Sequence, residues 1–363
     1  MLRHPWHDLR WHWPSDQPDQ IRFAKAPLRR LARPEYLATA ATALAAAPLV
    51  AAGWAAGPAA QSGAPSRDFL GVAATCSFDT GRDREQLALL RGLGVKRVLI
   101  RAPIWERKRL AQLVEFAAGI RTITGERVAV AVLQNRAAVS CPPRWRADLA
   151  SIFGALGPHA EAFQVLQAPN RTKWGCYHLG DALDLLEGAE RVRRHFPDVR
   201  LAGPAVIDFE PAPLLRLLFN RRRFALDVAT ALLYVDRRGA PENTQYGIFD
   251  LANKVRFTAA ACRASPRVAR GAPLWLTEIN WPLLGTDIWT PTSDEECVDE
   301  DTAADFLERS YRLAWATGQC ARMYWWQLTA PGYGLVDARD GLRPRPAYHR
   351  LAKLLAQATA TPG

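Results

Sequence analysis

The sequence lacks the cysteine and glycine patterns that define several common kinds of site. Its six cysteines contain no Cys-x-x-Cys pair, so a cysteine-based metal site is not expected, and six is too few for a disulfide scaffold. No Gly-x-Gly-x-x-Gly motif follows the first predicted strand, which disfavours a dinucleotide-binding fold. We therefore expect neither a bound metal nor a cofactor.

Basic residues are numerous, but they are not gathered into one tract. The chain of 363 residues has a formal net charge of +11. Zinc-finger spacings and RNA-binding signatures are missing, so nucleic-acid binding is not expected. With 49% hydrophobic and 23% charged residues, the composition is that of an ordinary globular protein.

Residues 1–66 differ in composition from the rest of the chain. Residues 1–34 carry seven Lys or Arg against three Asp, a net charge of +4, and residues 37–60 contain 13 alanines and no charged residue. One interpretation is a membrane anchor or export signal through residues 37–60, with residues 67–363 in the periplasm or another extracytoplasmic space. The other is an Ala-rich helix or linker of a cytoplasmic protein. Under both interpretations, residues 1–66 are an N-terminal extension and residues 67–363 form a single domain.

From residue 68 onward, short apolar runs alternate with amphipathic stretches. This alternation predicts parallel strands joined by crossover helices, and eight such units predict a closed (β/α)8 TIM barrel of the α/β class. Strands are predicted at 69–74, 97–101, 128–133, 162–166, 199–203, 225–234, 274–278 and 321–327. Helices are predicted at 84–93, 108–123, 145–156, 179–196, 211–219, 246–263, 302–317 and 346–356.

The residues that follow the predicted strands suit a sugar. In (β/α)8 barrels, functional residues lie on the loops after the carboxyl ends of the strands. Aromatic side chains there can stack on the apolar face of a sugar, while amides and charged groups bind its hydroxyls. The candidates are Arg101, Trp105, Asn135, Gln167, Asn170, Trp174, Tyr234, Glu278, Trp281, Trp325 and Trp326. We therefore expect an oligo- or polysaccharide as the partner.

Three parts of the sequence resemble the retaining (β/α)8 glycoside hydrolases of clan A, and family 39 in particular. Residues 275–278 (Trp-Leu-Thr-Glu) are similar to the strand-seven segment that carries the nucleophile of the clan, and Arg101 is similar to the strand-two Arg beside it. Residues 324–328, with 333–337 and 345–348, are similar to the strand-eight Trp and the closing helix. The resemblance covers residues 69–355. It implies Glu278 as nucleophile, Arg101 as its ion-pair partner and Tyr234 as a further hydrogen-bond donor.

At one position the chain departs from the clan. Clan members carry Asn-Glu-Pro at the end of strand four, and that Glu is the general acid/base; residues 167–169 are Gln-Ala-Pro here. Ala168 has no proton to give, and loss of a general acid removes about 10²–10⁴ of rate. The carboxyl groups that could substitute are Glu106, Asp208, Glu210, Asp236 and Glu242.

The sequence leaves two functions open. In the first, the protein is an atypical glycoside hydrolase or transglycosylase with Glu278 as nucleophile and a non-standard or substrate-supplied acid. In the second, it is a pseudo-enzyme that binds glycan during assembly of a surface polysaccharide (lipopolysaccharide or exopolysaccharide) without cleaving it. Both predict a retained sugar site, and Ala168 favours the second.

Overall fold

The computed structural model describes residues 11–12, 17–18, 25–235, 239–286 and 294–358. Eight parallel strands form a closed barrel, in which each strand pairs with the next and the eighth pairs with the first. These strands are β1 (Leu70–Ala74), β2 (Arg97–Pro103), β3 (Val128–Leu133), β4 (Ala160–Val165), β5 (Leu201–Ile207), β6 (Val228–Leu232), β7 (Leu274–Ile279) and β8 (Arg322–Trp325). The predicted (β/α)8 barrel is confirmed.

Helices surround the barrel, and one long helix precedes it. They are α1 (Lys25–Ala55), α2 (Thr80–Leu93), α3 (Leu110–Thr124), α4 (Arg136–Ser140), α5 (Pro142–Leu156), α6 (Leu179–Arg193), α7 (Pro211–Leu218), α8 (Leu251–Ala264), α9 (Glu300–Ala316) and α10 (Pro346–Gln357). Two pairs of two-residue strands lie outside the barrel: Trp11–His12 with Gln17–Pro18, and Val336–Asp337 with Arg343–Pro344.

The predicted strand bounds differ most from the structure at β5. The expected strand 199–203 stops before Pro204, a residue that cannot donate a ladder hydrogen bond. In the structure, β5 instead continues to Ile207 through an irregularity between Pro204 and Val206. The longer strand brings the residues that follow it, including Asp208 and Glu210, to the carboxyl end of the barrel.

Small residues make room for large aromatic rings inside the barrel. Alanines on β1, β3, β4 and β5 share the interior with Trp275, Tyr324 and Trp326. Gly71 lets the ring of Tyr324 approach closely, because a Cβ at Gly71 would lie 2.6 Å from a ring carbon. Side chains alternate along β8 and the residue after it, so Trp325 points outward into the layer between barrel and helices.

Ion pairs close the amino end of the barrel. Arg97, at the start of β2, binds Asp68 and Glu126, which precede β1 and β3. Arg322, at the start of β8, binds Glu161 of β4 and lies 4.5 Å from the ring centroid of Trp275. These ion pairs tie the starts of β1, β2, β3, β4 and β8 together at this end of the barrel.

Helix α1 packs on the outside of the barrel against α7 and α8. Glu35 of α1 binds Arg216 of α7 with a 2.6 Å separation, and Trp54 stacks on Phe249, which precedes α8, with 5.4 Å between ring centroids. Residues 32–55 of this helix are long and apolar enough to cross a membrane by length and composition. The helix ends at Ala55, five residues before the end of the uncharged run.

Candidate functional site

Glu278 lies near the end of β7 and is held by three donors. Arg101 Nη2, from β2, lies 2.9 Å from Glu278 Oε2, and Gln167 Nε2 lies 2.6 Å from the same oxygen. The hydroxyl of Tyr234, just beyond β6, donates to Glu278 Oε1. Glu278 is 7% exposed and Arg101 is 2% exposed. Three strands and one loop thus converge on one carboxylate, which is costly to bury unless it is paired in this way.

The amide of Gln167 has a defined orientation. Its Oε1 accepts a 3.0 Å hydrogen bond from Gln164 Nε2, so its amino group faces Glu278. The backbone of Gln167 exchanges two hydrogen bonds with the side chain of Gln134, at 2.8 and 2.9 Å. These contacts fix the start of the loop between β4 and α6.

Two tryptophans lie against the guanidinium of Arg101. Its Cζ is 3.4 Å from the ring centroid of Trp326 and 5.5 Å from that of Trp174. Arginine stacks readily on aromatic faces, and such stacking leaves its N–H groups free to donate in the plane. The rings therefore position Arg101 to bind Glu278.

Ala168 follows Gln167 in the loop after β4. It is fully buried and packs with Leu133 and Trp174, with Trp105 at the edge of the same cluster. Its φ of 43° lies in the left-handed region, so the turn is tight at this point. No group at position 168 can donate a proton to a leaving oxygen.

A lysine lies at the opening of the site. Lys173, in the same loop, is close to Glu278 and to Arg101. Burial lowers the pKa of Lys173 to about 8; the Glu278 carboxylate opposes this shift, while the charges of Arg101 and Arg171 add to it. An amine with this pKa exchanges protons near neutral pH more readily than an ordinary lysine.

The other carboxyl groups considered as acids are engaged elsewhere or lie outside the described residues. Arg171 binds both Asp208 and Glu210, at 2.6 and 2.7 Å. Glu242 is paired with Arg309 of α9, and Glu106 lies 3.8 Å from Arg109. Asp236 falls outside the described residues. In these positions the paired carboxylates stabilise loops and helices.

The structure brings together Glu278, Arg101, Tyr234, Gln167, Trp174 and Trp326, with Trp105 beside Ala168. It does not bring the other four candidates to this group. Asn135 caps α4 by accepting from Ala138 N, and Asn170 binds backbone atoms of Ile207.

Trp281 and Trp325 stack on each other with 5.7 Å between ring centroids, in the layer outside the barrel. They are 1% and 2% exposed, so neither offers a face to a ligand. They were named as candidates because they follow strand ends, but side chains that alternate along a strand point to opposite faces.

Sequence reasoning missed the role of Gln164. Its signal is a polar residue in the otherwise apolar stretch Phe163–Leu166, three residues before Gln167, which it helps to orient. Neither a metal nor a cofactor site is evident: across residues 25–235, 239–286 and 294–358, no three His, Cys, Asp or Glu side chains are arranged to hold a metal ion.

The closed barrel is distantly similar to the (β/α)8 glycosidases of clan A, which include β-glucosidases and mannanases. No family model and no curated protein matches the sequence. A solved β-glycosidase superimposes with a TM-score of 0.57 and 14% identity, over 82% of this chain and 99% of that one.

Two further structures show the same likeness. The β-glucosidase of Thermotoga maritima, in complex with cyclophellitol, gives a TM-score of 0.55 and 10% identity, over 82% of this chain and 99% of that one. The endo-1,4-β-D-mannanase of Thermotoga petrophila, with maltose and glycerol, gives 0.54 and 12%, over 80% and 99%. Identities this low establish the fold alone.

Proposed function

We propose that this protein binds an oligo- or polysaccharide at the carboxyl end of its barrel, around Glu278, and does not hydrolyse unactivated glycosides by acid-assisted double displacement. A retaining site needs a nucleophile and a general acid. The observation that carries the proposal is that the contacts of a nucleophile are present at Glu278, whereas no acid is present at position 168. Glu278 keeps three donors, whereas position 168 holds a buried methyl group.

The preserved half suits a sugar for physical reasons. A carboxylate held by Arg101 and Gln167 can accept hydrogen bonds from sugar hydroxyls. Glu278 is only 7% exposed, so a neighbouring side chain must move before a sugar ring can contact it. Lys173 is close to Glu278, and its side chain, with four rotatable bonds, is the flexible group that can move.

The altered half argues against ordinary hydrolysis. A retaining mechanism needs a second carboxyl group about 5–5.5 Å from the nucleophile to protonate the leaving oxygen. Asp208 and Glu210, which follow the neighbouring strand β5, are both bound to Arg171 and are therefore engaged away from Glu278.

Binding tests the proposal directly. Isothermal titration calorimetry against a panel of neutral and acidic oligosaccharides should find at least one ligand. For that ligand, Glu278→Gln should weaken binding about tenfold, because hydrogen bonds to charged groups contribute about 1.5–3 kcal/mol. The matched control is Glu308→Gln on α9, whose partners are Arg312 and Arg350. No binding across the panel, or equal loss in both variants, would overturn the proposal.

A second candidate function is favoured by the donors on Glu278. The same three contacts would orient a nucleophile, and glycosides with good leaving groups, which need no acid, would be its natural substrates. Turnover of dinitrophenyl glycosides that is lost in Glu278→Gln would identify an atypical hydrolase or transglycosylase.

A further inference from the structure

Helix α1 has one face that is packed against the barrel. Ala32, Ala46 and Val50 are 1–5% exposed and lie against α7 and α8. The ion pair of Glu35 with Arg216, the stacking of Trp54 on Phe249, and a hydrogen bond from Arg263 to Gly53 O distribute contacts along the helix. The helix is therefore part of the folded domain on this side.

The opposite face is apolar and exposed along its whole length. From Tyr36 to Ala55 the helix has no charged residue, and only 17% of its most apolar window is buried. Where side chains are described, seven large hydrophobic residues are exposed, and four of them lie on this helix: Tyr36 57%, Leu37 69%, Leu44 77% and Leu49 53%. An apolar surface this long marks an interaction site.

The two threonines of this stretch are half-buried and lie in line with the packed residues Glu35 and Ala46. The hydroxyls of Thr39 and Thr42 donate to backbone oxygens of Glu35 and Ala38, each at 2.7 Å. The carboxylate of Glu35 is paired on the packed side. The outward face thus carries no unmet hydrogen-bonding demand from its side chains, which suits contact with hydrocarbon better than contact with a polar protein surface.

The basic residues beside the exposed face of α1 indicate what this face binds. Arg30 and Arg33 are exposed at the beginning of the helix, and residues 1–34 have a net charge of +4. A helix with an apolar face and adjacent basic residues binds at the interface of a membrane that contains anionic lipids. We propose that the outward face of α1 lies in the headgroup region of an anionic bilayer while the helix stays packed on α7 and α8.

A disulfide can separate this arrangement from a membrane-spanning helix. A Cβ placed on Gly53 would lie 3.8 Å from Ala260 Cβ, which is the mean separation in disulfides. Gly53→Cys with Ala260→Cys, in a Cys141→Ser background that removes an exposed thiol, would therefore lock α1 onto α8 when oxidised. A docked helix should bind membranes equally well in both redox states, whereas a spanning helix must leave α8.

The measurement is flotation of the full chain with phosphatidylcholine vesicles, with and without about one-third phosphatidylglycerol. We expect binding to the anionic vesicles, unchanged by oxidation of the double-cysteine variant. Leu44→Glu should lower the partition coefficient about tenfold, since burying a Leu side chain contributes roughly 1.5–3 kcal/mol. The control is Leu284→Glu, at a position that is 52% exposed after β7, and it should bind like the unchanged protein.

Three results would overturn the proposal. They are failure to float with anionic vesicles, loss of binding on oxidation, and equal binding by Leu44→Glu. A dimer in vesicle-free solution that Leu44→Glu dissociates would assign the same face to a second copy of the chain and would also contradict it. Because residue 44 is 77% exposed, its variant should keep the circular dichroism spectrum and melting temperature of the unchanged protein.

Discussion

Two adjacent residues with opposite roles decide the chemistry of this barrel. Gln167 reaches Glu278, and its orientation is fixed by Gln164. Ala168 turns the chain in a left-handed conformation and fills its place with a methyl group. The contacts of Glu278 order its carboxylate, and under the proposed function the methyl group of Ala168 stands where a retaining glycosidase would carry its acid.

Restoring a carboxyl group at position 168 tests whether the remaining geometry supports catalysis. Ala168→Glu should raise hydrolysis of unactivated glycosides about 10²-fold over Ala168→Gln, which has the same shape and no acid. Both variants place a long side chain at a left-handed residue, which costs about 1–3 kcal/mol, so the pair is matched for strain. Equal rates from two folded variants that still bind sugar would show that Glu278 is not placed as a nucleophile.

The loop between β4 and α6 is the element on which the site depends. It carries Gln167, Ala168, Lys173 and Trp174, and it closes against the loop after β3 at Gly175. Gly175 has a φ of 103°, and a Cβ there would lie 2.5 Å from the carbonyl carbon of Asn135. Backbone, rather than a flexible side chain, occupies that space, so the approach cannot relax cheaply.

Gly175→Ala should therefore destabilise the protein by about 3 kcal/mol, from a strained φ together with a backbone clash. Gly125→Ala is the matched control: its φ is 75° and nothing lies within 4 Å of its Cβ position, so it should cost only about 1 kcal/mol. Urea unfolding measures both. Similar costs for the two variants would mean that the loop moves away from Asn135 without penalty.

The elements were easier to predict from sequence than the directions of their side chains. Apolar runs of the right length predicted every barrel strand, because a strand buried on both faces needs little beyond apolar residues. The direction in which Trp325 and Trp326 point depends on a shift of one residue, which a run of aromatic residues does not specify. Contacts such as Gln167 with Glu278 join distant parts of the chain, depend on barrel closure and could not be read from local pattern.

At the scale of the whole molecule, an ion-pair cluster attaches the C-terminal segment to the barrel. Arg345, 1% exposed, binds Glu300 of α9 at 3.0 Å and Asp337 at 3.1 Å. Arg339 binds the same Asp337 at 2.6 Å. The cluster therefore joins the C-terminal segment to α9, the helix between β7 and β8.

This cluster should contribute to acid sensitivity. Burial alone would raise the pKa of Asp337, but the hydrogen bond from Arg339 and the charge of Arg345 outweigh it and lower the pKa to about 2. A carboxyl group with a lowered pKa stabilises the fold fully above its ordinary pKa near 4 and loses that contribution between about pH 4 and pH 2.

Asp337→Asn should therefore reduce the free energy of unfolding by about 2 kcal/mol at pH 7. The difference from the unchanged protein should shrink as the pH falls from about 4 to 2. Guanidinium unfolding across this range measures the effect, with Asp340→Asn, the other Asp of the same loop, as control. A difference that does not change with pH would assign the loss to packing rather than charge.

The interior of the barrel is filled by side chains, so no ligand passes along its axis. Arg97 and Arg322 hold acidic partners at the amino end, and the rings of Trp275, Tyr324 and Trp326 occupy the space between that end and Arg101. A polymer cannot thread through such a cylinder from one end to the other. A glycan that reaches Glu278 would therefore lie across the carboxyl end of the barrel instead of passing through it.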